Sequence, residues 1–489
     1  MSTQIHVNNH KAKTANIYQL FAVATIIIFG LISIIFGIDV MYLSALIIWL
    51  FSMLYVFSDL KRRSLYLMFL VSYFVFLLGG HFCYEYFGME IKYYFSEEYY
   101  FHSNLCLFES LIFALGGHAL SEHTRIKASL NDDSIFYRLE KSFDDGKVKS
   151  IRKISQILFI ATFPFWTYTI MDKISFVLSN TYYAYYAEYE SSAPFVVRAV
   201  AAMTPYFFYL FLATLPSKKE CRVPMTLYFV YAVISLFTGR RSNFVIMILF
   251  LVLYFIFRHF RDDGEKWIKK SYVVSLLIGV PLMSVFLQIT QYLRVSESFS
   301  GTSAKELFLA FFQQQGFSSS ILRLEKYYES SLRDDAYYSF FGIVKYFRTN
   351  SIIKLFFNPQ YDFSYLHNSV EFATRGNSLS NALSYKVLRT YLSGAGVGTC
   401  YIAELFHDFS YVGVAIGSIV YGGVMQKINK FWNSRRNNIW IMAVGFAMVE
   451  AFIKAPRWNY DIFVAYFLDL GMWMAFGSVF IVYKLLHRK

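Results

Sequence analysis

The sequence of 489 residues is too apolar for a soluble globular protein. Of its residues, 56% are hydrophobic, 20% are aromatic and only 16% are charged, whereas a soluble chain of this length needs more polar surface. The formal net charge of +13 arises largely from Lys and Arg in the short connections between apolar segments, so it does not call for nucleic acid as a partner. We therefore predict an integral membrane protein in contact with the lipid bilayer.

A helix that crosses the hydrocarbon core needs about 20 apolar residues. Segments of this kind recur along the whole chain at Ile17–Phe36, Val40–Phe57, Ser64–Gly80, Asn104–Leu120, Ile154–Met171, Pro194–Pro216, Val223–Thr238, Ser242–Phe257, Ser271–Leu293, Phe409–Met425, Asn437–Ile453 and Ile462–Tyr483. The first segment is longer than the apolar region of a signal peptide and lacks a cleavage site, so we expect it to remain. The sequence predicts an all-α polytopic membrane protein with about twelve transmembrane helices.

The distribution of Lys and Arg predicts the orientation. With the N-terminus in the cytoplasm, 28 of the 46 basic residues fall in cytoplasmic segments and 18 fall outside, 11 of them in the long loop from Arg294 to Arg389. Long loops cross the membrane regardless of charge and are discounted, which leaves 28 against 7. Both termini are therefore expected in the cytoplasm. Cys83 and Cys106 then lie near the same outer face, where a disulfide between them could form.

Three parts follow from this topology: transmembrane helices one to nine in 1–293, an extracytoplasmic loop with amphipathic helices in 294–401, and helices ten to twelve in 402–489. The loop fragments are rich in Tyr and Phe, which favours the membrane interface. A second outer loop, "SNTYYAYYAEYESSAP", is crowded with Tyr. Its tyrosines can form an interfacial aromatic belt or can stack on sugar rings.

Ionisable residues within membrane helices are costly, and their positions indicate function. Five fall within the predicted spans: Glu109, His118, Arg198, Glu450 and Asp469. All except His118 lie in outer helix halves, which favours a pocket that opens outward. Glu450 and Lys454 are four residues apart and can neutralise each other. The turn "TGRRSN" carries two adjacent arginines that suit either lipid phosphates or a bidentate oxyanion clamp.

The most informative stretch is "LSGAGVGTCYIAELFHDFSYVGVAIGSIVYGGVM" at 392–425. It resembles the signature of the O-antigen repeat-unit polymerases (Wzy type), in which a Gly-rich loop leads into "xIAELxxDFGxxGV". Ser410 stands where that pattern usually has Gly. The "GRR" turn at 239–241, Arg294 and the "PRWN" turn at 456–459 also resemble family features.

The resemblance implies a GT-C-like glycosyltransferase in the bacterial inner membrane that polymerises O-antigen repeat units on the periplasmic face. The donor glycan would be carried on undecaprenyl diphosphate and transferred to a hydroxyl of a second lipid-linked unit, by an inverting reaction without metal or cofactor. A chain-length-regulating co-polymerase is a candidate partner. The alternatives are an O-antigen ligase, which shares the donor, and a repeat-unit flippase. The one-sided charges and the lack of an internal repeat count against a flippase.

Transfer to a hydroxyl needs a general base, and the departing diphosphate needs cations or hydrogen-bond donors. Glu404 is the first candidate base and His407 the second; if 401–411 is helical, both share a face with Asp408 and Tyr411. The candidate diphosphate ligands combine guanidinium groups with the backbone N–H groups of a Gly-rich loop. They are Arg240, Arg241, Arg294, Arg457, Gly394, Gly396 and Gly398.

Overall fold

The computed structural model describes residues 38–90, 93–123, 145–180, 182–261, 265–294, 302–349, 367–433 and 438–487. These residues are mostly helical and none of them is in a β-strand. The predicted all-α class is therefore confirmed. The first predicted span, Ile17–Phe36, lies outside the described residues.

Eleven helical segments of the described chain are long and apolar enough to cross a membrane. Each corresponds to one of the predicted spans from Val40–Phe57 onward. The helices up to the long loop are α1 (Ile38–Ser58), α2 (Leu60–Phe87, with a π-helical turn at Phe74–Leu78), α3 (Glu97–His123), α4 (Asp145–Ser179), the short α5 (Ala184–Ala187), α6 (Phe195–Ala213), α7 (Lys218–Ser235), α8 (Arg241–Phe260) and α9 (Lys270–Arg294). After the loop follow α15 (Tyr401–Asn433), α16 (Ile439–Lys454), α17 (Ile462–Leu468) and α18 (Leu470–Leu486), the last two forming one span.

Close packing of α3 against α15 depends on glycine. A Cβ atom added to Gly117 would lie 2.2 Å from the Ile419 carbonyl oxygen, and one added to Gly422 would lie 2.0 Å from the Ala114 carbonyl oxygen. Small residues of this kind let membrane helices approach at backbone distance, where dispersion contacts are densest. Helix α15 also packs against α2 and α16.

The long loop contains five described helices: α10 (Ala304–Gln315), α11 (Ser318–Tyr328), α12 (Phe341–Thr349), α13 (Val370–Arg375) and α14 (Leu379–Val387). Helix α11 is covered by protein and not by lipid, since every residue from Ser318 to Glu325 is buried. This helix packs against α3 and α15. The turn before α11 packs directly on α2 because both contact residues, Gly316 and Gly80, are glycines. A Cβ atom added to Gly316 would lie 2.2 Å from the Gly80 nitrogen.

Two spans are interrupted. The predicted span Phe409–Met425 belongs to a longer helical segment that begins at Tyr401 and breaks at Ser410, which has φ 56° and ψ −159°. The last span breaks at Asp469, whose side chain accepts from the amides of Gly471 and Met472 and so caps α18. The Cys83–Cys106 disulfide is not formed, since all four cysteines are free and buried.

Candidate functional site

The two adjacent arginines at the start of α8 contact different parts of the protein. Arg240 Nε donates to Tyr186 Oη at 3.1 Å, and its guanidinium carbon lies 4.6 Å from the ring centroid of Tyr185. Arg241 instead donates from Nη1 to the Leu287 carbonyl oxygen at 3.0 Å and to Gln288 Oε1 at 3.3 Å. Arg240 is therefore held by aromatic rings, whereas Arg241 ties α8 to α9.

The rings around Arg240 belong to residues 182–194, which we call the tyrosine loop. One carboxylate holds this loop on the end of α4: Asp172 accepts from Tyr189 Oη at 2.7 Å, Ser191 Oγ at 2.8 Å and Ser192 Oγ at 2.6 Å. These three hydrogen bonds fix part of the tyrosine loop on α4. Tyr185 and Tyr186 are thus ring partners of Arg240. The sequence-based interpretations, an interfacial aromatic belt or stacking on sugar rings, did not include this role.

The Gly-rich loop, which contains Gly394, Gly396 and Gly398, packs against the backbone of the tyrosine loop. Gly394 has φ 97°, and an added Cβ atom would lie 1.8 Å from the Tyr183 carbonyl oxygen. The Gly394 amide donates to the Tyr391 carbonyl oxygen at 2.9 Å. Gly398 also has a positive φ of 83°, whereas Gly396 has open space around its Cα apart from Ser384 Oγ. At Gly394, the requirement for glycine comes from a backbone contact between the two loops.

Arg240 lines a cavity of about 240 Å³ between α4, α6, α7, α8, α16 and α17, which we call the Arg240 cavity. Its wall contains one tryptophan and six tyrosines, with Trp166 stacked on Tyr231 at a centroid distance of 3.5 Å. Two lysines, Lys173 and Lys454, also line it. Aromatic faces combined with cations suit a ligand that has both sugar rings and anionic groups.

Positive charge predominates at the Arg240 side of this cavity. Neither Arg240 nor Lys173 forms an ion pair with a carboxylate in the described part of the chain. Lys345 on α12 is near as well: burial, and then the charge of Arg240, lower the pKa of its ammonium group. The guanidinium of Arg240 has no paired carboxylate among the described residues, and an unpaired cation is costly away from water, so this wall favours an anionic ligand.

Glu450 supplies the carboxylate on another wall of the cavity. Its Oε1 accepts from Tyr209 Oη at 2.6 Å, and its Oε2 accepts from Lys454 Nζ at 3.0 Å and Tyr466 Oη at 3.1 Å. The predicted pairing of Glu450 with Lys454 is thus confirmed. Both side chains nevertheless line the cavity, so the pair is open to a ligand.

Glu404 lies elsewhere, in the protein core. It is fully buried, and its Oε1 accepts from Thr399 Oγ1 at 2.9 Å and Asn459 Nδ2 at 2.6 Å. Its Oε2 accepts from the Tyr460 amide at 2.8 Å. The next residue in that turn, Asp461, accepts from the first amides of α12, at 3.0 and 2.7 Å. Glu404 therefore holds the turn at 456–461, and that turn holds α12.

The other side chains of the "ELFHDFSY" stretch contact separate partners. His407 Nδ1 lies 3.2 Å from Glu325 Oε1, a carboxyl group whose pKa burial raises to about 7. Asp408 accepts from the amides of residues 338 and 339 at 3.0 and 2.7 Å. Tyr411, beyond the break at Ser410, contacts His102 at 2.9 Å. His407 and Asp408 thus hold the long loop on α15, and Tyr411 joins α15 to α3; none of the three is among the described residues that line the Arg240 cavity.

Two predicted arginines remain. Arg457 donates from Nη1 to Gln315 Oε1 at 2.6 Å, which joins the turn at 456–461 to α10. Arg294 is the last residue of α9, and its side chain lies outside the described part of the structure. Among the predicted site residues whose side chains the structure describes, Arg240 alone lines the cavity.

Sequence reasoning missed Lys173 and Lys345 as neighbours of Arg240. Lys173 follows Asp172 at the end of a long apolar segment, next to the Tyr-rich loop, and this sequence proximity was an available signal. Lys345 lies in the long loop, more than 100 residues from Arg240, and no local pattern connects the two. The cavity is assembled by tertiary contacts.

Comparison with known protein families identifies a match over nearly the whole chain. A family model described as O-antigen polysaccharide polymerase Wzy matches residues 17–489, nearly the whole chain. No curated protein matches the sequence. No solved structure matches the fold.

Proposed function

The chain belongs to the O-antigen polysaccharide polymerase Wzy family, and we propose that it joins undecaprenyl-diphosphate-linked oligosaccharide repeat units in the Arg240 cavity. The donor glycan would leave its diphosphate carrier and be transferred to a hydroxyl of a second lipid-linked unit. The observation that carries this assignment is the position of Arg240, a guanidinium clamped by tyrosines at a cavity rich in aromatic side chains.

Arg240 has the chemistry that a diphosphate leaving group requires. A guanidinium presents several N–H donors in a plane and can bind two phosphate oxygens together. Tyr185 and Tyr186 orient it through cation–π contacts at 4.6 and 4.9 Å. Lys173 and Lys345 add charge without a fixed hydrogen-bond geometry. Stabilisation of the developing negative charge by pre-positioned cations is often the largest single contribution to catalysis.

In the proposed reaction, a single inverting and metal-independent displacement, Arg240 and its lysine neighbours stabilise the negative charge that develops on the leaving group. The acceptor hydroxyl attacks the anomeric carbon of the donor while the bond to the phosphate oxygen breaks. A second carboxylate nucleophile, as in retaining glycosidases, is not required. The helical membrane architecture is compatible with the GT-C-like class.

Location on the periplasmic face of the bacterial inner membrane, with both termini in the cytoplasm, is part of the same proposal. Its support is the 28-to-7 bias of Lys and Arg between the two sets of loops. In this orientation Arg240, the tyrosine loop and the Gly-rich loop all belong to the outer side. Lipid-linked repeat units that have crossed the membrane would meet the cavity there.

The assignment of Glu404 or His407 as the general base stays a prediction. The three donors and complete burial of Glu404 favour a positioning role, in which it holds the turn at 456–461. His407 is bound on both ring nitrogens, to Glu325 and to the Arg333 carbonyl oxygen. Arg457 and the glycines likewise support neighbouring segments in this proposal.

A comparison of two adjacent substitutions tests the assignment. Arg240→Lys keeps the positive charge but loses the planar fork, so lipopolysaccharide from a strain with this variant should show core plus one repeat unit. Arg241→Lys, the matched control, should retain a polysaccharide ladder, because Arg241 contacts α9. Full ladders from Arg240→Lys would contradict the proposed role, and bare core from a deletion strain would favour a flippase or ligase.

A further inference from the structure

Glu450 is the single acidic side chain among the described residues that line the Arg240 cavity. It projects from α16, and its side chain is 15% exposed to the cavity. Four donors surround it. Tyr209, Tyr228 and Tyr466 come from three other helices, and Lys454 lies on α16 itself. A carboxylate is thus placed within a membrane span and kept open to the cavity.

Structural stability alone gives little reason for this arrangement. Removing two charges from water costs several kcal/mol per ion, and a buried pair often stabilises a protein no more than apolar residues of similar size would. Charged groups inside membrane spans commonly mark functional sites for this reason. The Lys454 side chain is also 18% exposed, so neither partner is sealed from the cavity.

The two sides of the cavity have complementary chemistry. Arg240 and Lys173 provide cations, of which Arg240 pairs with no carboxylate in the described chain, whereas Glu450 provides a hydrogen-bond acceptor beside the aromatic pair Trp166–Tyr231. The volume of about 240 Å³ lies just below the roughly 300–1,000 Å³ of sites that enclose drug-sized ligands. It suits a single sugar ring at the point of transfer.

We propose that Glu450 is the general base of the transfer reaction, an inference that rests on the proposed polymerase function. The oxygen of the acceptor hydroxyl forms a bond to the anomeric carbon of the donor sugar, and its proton passes to a carboxylate oxygen of Glu450. The bond between the anomeric carbon and the phosphate oxygen breaks, and its electron pair leaves with undecaprenyl diphosphate at Arg240. The proton is later released to water.

The neighbours of Glu450 are positioning residues in this scheme. Lys454 and the tyrosine hydroxyls favour the ionised carboxylate, because each donates a hydrogen bond to it. The contact from Tyr228 Oη, at 3.4 Å, is the longest of the four. An acceptor hydroxyl can replace this weak donor without removing the short hydrogen bond from Tyr209.

The test uses the full-length protein in lipid nanodiscs, with a purified undecaprenyl-diphosphate-linked repeat unit as donor and acceptor. Glu450→Gln should lower the rate of glycan transfer by about 10²–10⁴-fold, the usual contribution of a positioned general base. Binding of the lipid-linked donor should be retained, because Arg240 is intact. A carboxylate base predicts that the wild-type rate falls at low pH, and this fall should be absent in the variant.

A double variant separates catalysis from stability. Glu450→Gln leaves Lys454 without its carboxylate, and this alone can harm folding. In the double variant Glu450→Gln with Lys454→Gln, no unpaired charge remains. If the pair is purely structural, glycan transfer should recover. If Glu450 is the general base, the double variant should still transfer no glycan. Glu122→Gln, at a carboxylate on α3 that pairs with Arg63 at 3.0 Å and is not among the residues that line the Arg240 cavity, is the matched control and should transfer at the wild-type rate.

The outcomes are distinct. Transfer by Glu450→Gln within tenfold of the wild type, or recovery in the double variant, would overturn the role of Glu450 and leave the polymerase assignment in place. A wild-type protein that binds the lipid-linked unit but transfers nothing would instead contradict the proposed function. Loss of transfer in both Glu450 variants, with donor binding retained, is the result that we expect.

Discussion

Replacing Ser410 by Gly should stabilise the protein. Ser410 has φ 56° and ψ −159°, a backbone region that is essentially restricted to glycine and costs other residues about 1–3 kcal/mol. Glycine in turn loses about 0.5–1 kcal/mol through the greater freedom of the unfolded chain. The side chain is exposed, so little packing is lost, and the free energy of unfolding should rise by about 0.5–2 kcal/mol.

The measurement is reversible unfolding in mixed micelles, followed by circular dichroism as the denaturing detergent increases. Ser410→Ala is the control, because alanine removes the hydroxyl but keeps the Cβ atom and hence the strain. It should unfold close to the wild type. If Ser410→Gly is no more stable than Ser410→Ala, the break in α15 is not strained and the reasoning fails.

Three further predictions concern the loops, the buried carboxylate and the topology. Gly394→Ala should abolish the polysaccharide ladder, because the new Cβ atom would lie 1.8 Å from a carbonyl oxygen of the tyrosine loop. Gly396→Ala should be tolerated, because its Cβ atom would meet no atom closer than 3.6 Å, and equal ladders from both variants would refute the contact. Glu404→Gln should reduce the amount of folded protein in the membrane, because unsatisfied buried donors cost about 1–3 kcal/mol each; normal amounts with a single repeat unit would instead identify a base. Cysteine introduced at exposed Ser331 should react with an impermeant maleimide in intact spheroplasts, and cysteine introduced at exposed Lys149 should not. The native cysteines are at most 2% exposed and should give little background labelling. The reverse pattern would contradict the predicted orientation.

The spans could be predicted from sequence because their determinant is local. A run of apolar residues of sufficient length must satisfy its backbone groups as a helix in lipid, and all eleven spans of the described chain were located in this way. The boundaries were less accurate. The predicted span Phe409–Met425 missed the first turns of α15, because those turns carry the polar side chains that bind the long loop.

The candidate site was predicted only in part because tertiary contacts decide it. Arg240 and Arg241 are equivalent in sequence, but Arg240 precedes α8 with a non-helical backbone (φ −96°, ψ 79°), whereas Arg241 is the first residue of the helix. One therefore enters the cavity and the other reaches α9. Glu404 receives two of its donors from residues 55 and 56 positions away. Nothing local distinguishes such a positioning carboxylate from a base.

Burial of α11 has a similar explanation. Its amphipathic pattern favours the membrane interface when it is considered alone, but Ser318, Ser319 and Ser320 are small enough to pack closely against neighbouring helices. The pattern of apolar residues shows that a helix has a buried face, and it does not show what covers that face. Here protein covers it in place of lipid.

Photo-crosslinking of a lipid-linked substrate tests most directly whether the Arg240 cavity is the site of glycan transfer. Benzoylphenylalanine in place of Tyr231, which lines the cavity, should crosslink to a radiolabelled undecaprenyl-diphosphate-linked repeat unit. The same group in place of Phe229, 44% exposed on the same helix, is the control for contact with lipid tails. We expect a crosslink at position 231 that unlabelled undecaprenyl diphosphate and Arg240→Gln both suppress. Equal crosslinking at both positions, or a signal at 231 that does not depend on Arg240, would contradict the account.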